Sequence, residues 1–379
     1  QTGTHEFGVG AFIALLGQSN MEQMFDDTIN YPLGAPGTYS TKNGFVRIGN
    51  INPAYPPGTP ASVYNSAGTH YHETGFRSGD GLVYAANRMR EGLGCPIGIL
   101  DFAASGSWIS LWTSGGAQNT EFLAGLSAIG GDFEAALWLQ GETDAQNGTS
   151  EAAYKTSLTS LFNQLKTVTG RSTLDFGVVI VGPATAAWTP TEGRMAAMRK
   201  AQIDFVAENA AGGAFIAGTD IDGDLGNGSS IHITPSSRTV QGRRYGECIV
   251  RRLTGAAYGI EGPVISSASR SGAVVTVNIT QQGGTSLKDG AGGSGSALLG
   301  FRVFDGGTPC TISSTLISGN AVVLTLSATP SGVVTMDYAM ANAPFGSATV
   351  ASTVCYDDQT IPGSAVGLPL LPKPLFTVS

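Results

Sequence analysis

The feature that most restricts how this chain can fold is a rhythm that persists to about residue 255, in which short, almost unbroken apolar runs are separated by longer amphipathic stretches. The runs at 11–16, 97–102, 135–139, 176–181 and 214–217 show little apolar–polar alternation. A strand with one wet face alternates and a strand covered on both faces does not, so these read as parallel strands enclosed between helices. The stretches at 81–91, 151–167, 192–209 and 239–252 place apolar residues at helical spacing, as the crossover connections of a parallel sheet require. The expected architecture is a three-layer α/β/α domain. From about residue 260 the chain turns to Val, Thr, Ser and Gly, with alternation at 273–279 and 321–326 and turn signals at 283–284, 292–295 and 305–307. That pattern predicts a β-rich domain, a sandwich or barrel. The natural cut gives domains 1–258 and 259–379.

Composition narrows the function before any motif is considered. Of 379 residues 13% are charged and 41% hydrophobic, too apolar for a disordered chain, and the 54 glycines follow no strict period, which excludes a collagen. With 20 basic against 28 acidic side chains and a net charge of −8, the chain lacks the clustered positive charge that draws nucleic acid or anionic lipid. Neither is an expected partner. One basic cluster, Arg243, Arg244, Arg251 and Arg252, reads as the solvated face of an amphipathic helix. No apolar run approaches the roughly 20 residues needed to cross a bilayer, so a soluble protein is expected. The four cysteines, Cys95, Cys248, Cys310 and Cys355, lack zinc-site spacing; Cys310 and Cys355 could pair, and buried free thiols are an equal alternative. The segment 26–80, rich in Gly, Pro, Asn, Tyr and Ser, is longer than an ordinary connection and is expected to serve a site. The Pro- and Leu-rich stretch 362–374 reads as an irregular strap.

The strongest local signal is Gly17-Gln18-Ser19-Asn20-Met21, directly after the first apolar run. Ligands of open parallel sheets bind beyond the carboxyl ends of the strands, so this turn delivers Ser19 to the place where chemistry is expected, with Gly17 permitting the bend. A plainer role for Ser19 is capping the next helix. A serine hydroxyl needs a neighbouring imidazole to take its proton, and the imidazole needs a group to hold its tautomer. Among His5, His70, His72 and His232, only His232 follows a predicted strand and precedes a helix.

These residues carry a family resemblance. Gly17-Gln18-Ser19-Asn20-Met21 resembles the nucleophile block of the sialate O-acetylesterases and related acetylxylan esterases, within the SGNH hydrolase superfamily. The segment 97–100 followed by Ser105-Gly106-Ser107-Trp108 is similar to that group's second block. Trp138-Leu139-Gln140-Gly141-Glu142-Thr143-Asp144 is similar to its third, and Ile231-His232-Ile233 to the block that carries the catalytic histidine. The blocks occur in family order across about residues 11–255. The resemblance implies a flavodoxin-like catalytic domain, Ser19 as nucleophile, His232 as base, and an oxyanion hole built from the backbone N–H groups of Ser19 and Gly106. Many relatives place Asp three residues before the histidine, where this chain has Ser229; the acid implied here is Glu142 of the third block. Ser229 or a carbonyl steadying a Ser–His dyad, and Asp220, Asp222 or Asp224, are the alternatives. Where many members add an Asn to the oxyanion hole this chain has Thr143, and Gln140 is expected to supply the side-chain amide instead. Gln18 and Asn20 flank the nucleophile and are expected to bind substrate. So are Trp108 and Trp112, whose rings could stack on sugars, while Trp138 belongs to the core.

The implied activity is hydrolysis of O-acetyl esters on carbohydrates, through an acetyl-enzyme and without cofactor or metal. The partner is an acetylated glycan or polysaccharide, and an extracellular or virion-associated location is expected. A competing reading is a glycan-binding or virion-attachment module with a vestigial site, because the β-rich region and the segment 367–372 resemble those of phage tailspike esterases. A glycosidase using Glu142 and Asp144 would leave Ser19 and His232 without a role. The spacing of Asp220, Asp222 and Asp224 hints at a calcium loop, but Leu225 stands where the turn glycine belongs. An α/β-hydrolase lipase is disfavoured because the second glycine of the nucleophile elbow is missing.

Overall fold

A computed structural model describes residues 10–22, 46–50, 80–95, 97–128, 131–188, 191–225, 231–256, 261–346, 351–362 and 364–379. Each continuous apolar run of the first 255 residues becomes a strand: β1 (Ala11–Gly17), β3 (Ile97–Asp101), β4 (Ala135–Leu139), β5 (Asp175–Ile180) and β6 (Ala214–Thr219). A further strand, β2 (Val46–Asn50), lies inside the segment expected to be loop, most of which is outside the described residues. Val-Arg-Ile-Gly-Asn carries a weak alternating pattern within Gly- and Pro-rich sequence; pairing with β3 makes it a strand. Among the described residues the sheet has the order β2-β3-β1-β4-β5-β6. β1 pairs in parallel with both β3 and β4, so the strand order reverses at β1. A crevice opens at such a reversal, beyond the carboxyl ends of the strands.

Helices α1 (Ser19–Glu22), α2 (Asp80–Leu93), α3 (Ala117–Ala128), α4 (Glu142–Asn147), α5 (Glu151–Thr169), α6 (Arg194–Asn209) and α7 (Pro235–Thr254) connect the strands. α5 shows how local sequence fixes an element. The Ser150 hydroxyl accepts from the Ala153 N–H at its start, and left-handed Gly170 donates to Lys166 and Thr167 carbonyls at its end. Between them Tyr154, Leu158, Leu161, Phe162 and Leu165 form one buried stripe, each worth roughly 1.5–3 kcal/mol of transfer free energy. α3 was not predicted, because its sequence has almost no apolar periodicity.

α2 and α7 meet through glycines. A Cβ at Gly242 would stand 1.9 Å from the Gly81 carbonyl oxygen, and one at Gly246 2.7 Å from that of Ala85. This close approach corrects the reading of the arginine cluster as a solvated face. Arg244 and Arg251 are buried. Glu247 accepts from Arg251 and from Arg88 of α2, Arg252 pairs with Asp175, and Arg243 lies over the Tyr84 ring. With small residues at the helix seam, the long side chains fold along the packed surfaces and find acids there. No described helix is long and apolar enough to cross a membrane.

Contacts divide the chain into two compact units: Gln1–Val179, Ala201–Ala217 and Pro235–Gly255 in the first, and Ile180–Lys200, Gly218–Thr234 and Ala256–Ser379 in the second. The second unit contains antiparallel sheets of order β11-β10-β14-β16 and β12-β13-β8-β7 and a β15-β9 ribbon. Their strands are β7 (Val264–Ser271), β8 (Val274–Thr280), β9 (Leu287–Asp289), β10 (Phe301–Asp305), β11 (Thr308–Cys310), β12 (Ile312–Ser318), β13 (Ala321–Leu326), β14 (Val334–Tyr338), β15 (Cys355–Asp357) and β16 (Lys373–Thr377). Val275, Val277 and Leu324 of one sheet share a core with Val303, Met336 and Tyr338 of the other, as in a sandwich. The expected strap is irregular through the buried Leu368, Leu370 and Leu371, and its end enters β16. The four cysteines lie among the described residues and none forms a disulfide, so Cys310 and Cys355 do not pair.

Candidate active site

The site grows from the end of β1. Gly17 has φ +142°, and a Cβ there would stand 2.0 Å from the Leu139 carbonyl oxygen, so only glycine lets β1 and β4 come together at their carboxyl ends. The Gln18 N–H donates to that same carbonyl at 3.0 Å. Ser19 then opens α1, 5% exposed, two residues beyond the strand at which the sheet reverses.

The chain leaving β3 is stitched to the same corner. Phe102 N–H donates to the Leu15 carbonyl and Ala104 N–H to that of Gly17. The Ser107 hydroxyl donates to the Gly17 carbonyl at 3.3 Å and accepts from the Trp112 indole at 3.0 Å. Between these anchors Ser105 and Gly106 form an exposed turn, with Gly106 at φ +67° and nothing within 4 Å of where a Cβ would stand. Trp108 follows, 46% exposed, before a 3-10 turn (Ile109–Trp112).

The third block lies beneath. Asn20 Nδ2 donates to Glu142 Oε1 at 2.6 Å, fixing a carboxylate that is wholly buried. Gln18 Oε1 accepts from Gln140 Nε2, Gly141 N–H and Thr143 N–H at 3.1, 3.4 and 3.2 Å. Gln140 Nε2 also donates to the Ser107 carbonyl at 3.0 Å and to Asp144 Oδ2 at 2.6 Å. The Gln140 carbonyl accepts from Tyr154 Oη at 2.6 Å and Gln202 Nε2 at 2.9 Å. Burial holds the Tyr154 phenol well above its ordinary range, so it acts as a neutral donor.

This geometry revises several expectations. The two amide hydrogens of Gln140 are already shared among three buried acceptors, so its side chain has none to offer an oxyanion. Gln18 and Trp112 are 0% exposed and cannot touch a substrate in this conformation; Trp112 packs edge-on against the core Trp138. Asn20 is also buried and is turned toward Glu142. Of the four residues expected to bind substrate, Trp108 alone is on the surface. Glu142 and Asp144 are buried in the first turn of one helix, which does not suit acids flanking a sugar. Sequence reasoning missed Asp144 as an anchor: its Oδ2 accepts from the Ile109 N–H at 2.8 Å and its Oδ1 from the Thr149 hydroxyl at 2.7 Å. Its place two residues after Glu142 was the available signal.

His232 belongs to the second unit. It sits between Ile231 and Ile233, where Ile233 bridges to Leu225 and Thr234 N–H donates to the Asp224 carbonyl, immediately before α7. In the same unit, Asp222 Oδ2 accepts from the Tyr356 hydroxyl at 2.9 Å. His5, His70, His72 and Ser229 lie outside the described residues.

Residues 10–251 match the family model described as carbohydrate esterase, sialic acid-specific acetylesterase. Over 98% of this chain and 81% of the other, the fold is similar to the crystal structure of a carbohydrate acetylesterase from Xanthomonas citri, at 20% identity and a TM-score of 0.70. An Arabidopsis thaliana protein aligns with 65% of this chain and 99% of its own at 17% identity and a TM-score of 0.45. A Sinorhizobium meliloti carbohydrate acetylesterase covers 65% and 99% at 12% identity and a TM-score of 0.39. No curated protein matches in sequence.

Proposed function

Because the chain belongs to the carbohydrate esterase family of sialic acid-specific acetylesterases, we propose that it releases acetate from O-acetylated glycans by a serine mechanism centred on Ser19. Ser19 Oγ attacks the acetyl carbonyl while the His232 imidazole takes its proton. The imidazolium then returns that proton to the departing sugar oxygen, leaving an acetyl-enzyme. Water, deprotonated by the same imidazole, attacks the acetyl carbon; the bond to Ser19 Oγ breaks, the imidazolium returns its proton to that oxygen, and acetate leaves. The Glu142 carboxylate is the acid we assign to orient the imidazole. Backbone N–H groups of Ser19 and Gly106 are assigned to the oxyanion, a type of stabilisation whose loss costs about 100- to 1,000-fold per donor. The exposed Trp108 ring offers a face for a sugar.

The observation that carries this reading is the position of Ser19, just past β1, where the sheet order reverses. Ser19→Ala should abolish acetate release from an aryl acetate while leaving the melting curve unchanged; undiminished turnover would sink the assignment. The substrate is identified by following acetate by proton NMR from a panel of acetylated sialic acids, xylans and bacterial surface polysaccharides. Binding of one of these without loss of acetyl groups would favour a glycan-binding module instead.

A further inference from the structure

We propose that Asp144 is the positioning residue of the active-site loop, holding the Gly106–Trp108 segment against the nucleophile turn without touching substrate. The inference rests on the esterase reading above and assigns a role to a buried carboxylate that the mechanism does not use. Loop 104–109 carries the proposed oxyanion donor, Gly106, at an exposed turn with no side chain to pin it. What fixes it lies on either side. At the near end, Ala104 N–H and the Ser107 hydroxyl reach the Gly17 carbonyl. At the far end the grip is Asp144: Oδ2 accepts from Ile109 N–H at 2.8 Å and from Gln140 Nε2 at 2.6 Å, and Gln140 Nε2 also holds the Ser107 carbonyl. Oδ1 is bound by the Thr149 hydroxyl at 2.7 Å, which fixes the rotation of the carboxylate. Asp144 thus ties the start of α4 directly to Ile109 and, through Gln140, to Ser107, the two ends of the tripeptide 107–109. Hydrogen bonds that converge on one buried side chain, leaving no water to replace them, hold a short loop in one arrangement.

Catalytic geometry tolerates little error, since a displacement of about 1 Å can cost about 100-fold in rate. Asp144→Ala removes all three anchors. With an aryl acetate, and with the enzyme counted by phosphonate titration of Ser19, we expect kcat to drop about 10- to 100-fold while KM stays within about twofold. Asp144→Asn separates geometry from charge. Its carbonyl oxygen can still accept from Ile109 and Gln140, and its NH₂ can donate to the Thr149 hydroxyl oxygen. It should retain kcat within about threefold and keep the wild-type pH profile. An Asn variant as impaired as Ala would overturn positioning in favour of a use of the charge itself. Unchanged kcat in Asp144→Ala would also overturn it.

If Asp144→Ala does not fold, Thr149→Val, which frees only the rotation of the carboxylate, should lower kcat about three- to tenfold; no loss there counts against the proposal. Hydrogen exchange at the Ile109 amide is independent of any activity and should quicken at least about tenfold in Asp144→Ala or Thr149→Val. If Ser19→Ala stays active but Ile109 exchange quickens, the esterase assignment fails and the loop anchor stands. If Ser19→Ala is dead and Ile109 exchange is unmoved, the anchor fails alone.

Discussion

Replacing Gly17 with alanine tests whether the close approach of β1 to β4 is what delivers Ser19, the proposed nucleophile. The new Cβ would stand 2.0 Å from the Leu139 carbonyl oxygen and 2.7 Å from its carbon, at least about 1 Å inside ordinary non-bonded distance. The obstacle is backbone, so no side chain can swing aside; the strand ends must part. Overpacking of this kind costs roughly 1–3 kcal/mol, and a non-glycine residue at φ +142° adds roughly 1–3 kcal/mol of strain. A total near 4 kcal/mol lowers the melting temperature by about 8–16 °C for a domain of this size. Parting by about 1 Å also displaces Ser19, two residues on, and should reduce kcat about 100-fold in the protein still folded at the assay temperature. Gly94→Ala is the control, because Gly94 has φ +67° with nothing within 4 Å of its would-be Cβ, so strain of about 1–2 kcal/mol acts alone there. Thermal melts by circular dichroism and aryl acetate turnover read both effects. A Gly17→Ala protein that melts within about 2 °C of wild type and turns over within about twofold would refute the reasoning.

Gly242→Ala drives a methyl against the Gly81 carbonyl in the α2–α7 seam and should cost about 1–3 kcal/mol in denaturant unfolding, with kcat of the folded protein unchanged. Glu247→Gln leaves the guanidiniums of Arg88 and Arg251 without their shared carboxylate and should destabilise by about 3 kcal/mol, an effect that persists at high salt because the pair with Arg251 is buried. Burial, with Asp357 and Asp289 nearby, pushes the Cys355 thiol up to about 12, so iodoacetamide at pH 8 should leave it unlabelled in the native protein. The same shift makes the native state hold a proton that the unfolded chain releases, so Cys355 contributes stability that is lost as pH rises from about 9 toward about 12 and is restored on return; Cys355→Ala should lack that slope. Trp108→Ala should raise KM for an acetylated polysaccharide several-fold and leave turnover of a small aryl acetate unchanged, as expected of a ring that stacks on sugar.

Much of the fold was legible because its signals are local. Unbroken apolar runs such as 135–139, too short for a crossover helix, read as strands covered on both faces, and 150–170 carries its own cap, stripe and terminal glycine. β2 and α3 were not legible, since the first gains its strand character from pairing with β3 and the second has no apolar stripe to announce it. At the site, the order of the blocks pointed to Ser19, Gly106, Glu142 and His232. The roles of the residues around them did not follow from residue type. Gln18, Gln140 and Trp112 all have groups suited to binding a sugar or an oxyanion, and all three are consumed inside the protein by side-chain hydrogen bonds whose partners lie 122–125, 33, 5 or 4 positions away.

The sequence by itself determined the layer architecture, the change to β-rich structure after about residue 260 and the position of the turn at Gly17–Ser19, because periodicity and glycine placement act over a few residues. Only the tertiary structure decided which polar side chains face solvent and which hold the loops in place. Asp144 and Trp108 are the clearest pair: both belong to matching blocks, yet one is locked under the loop by three donors and the other stands exposed upon it. A buried polar group must find its partners wherever the fold brings them, and such pairing across distant segments leaves no periodic trace in the chain.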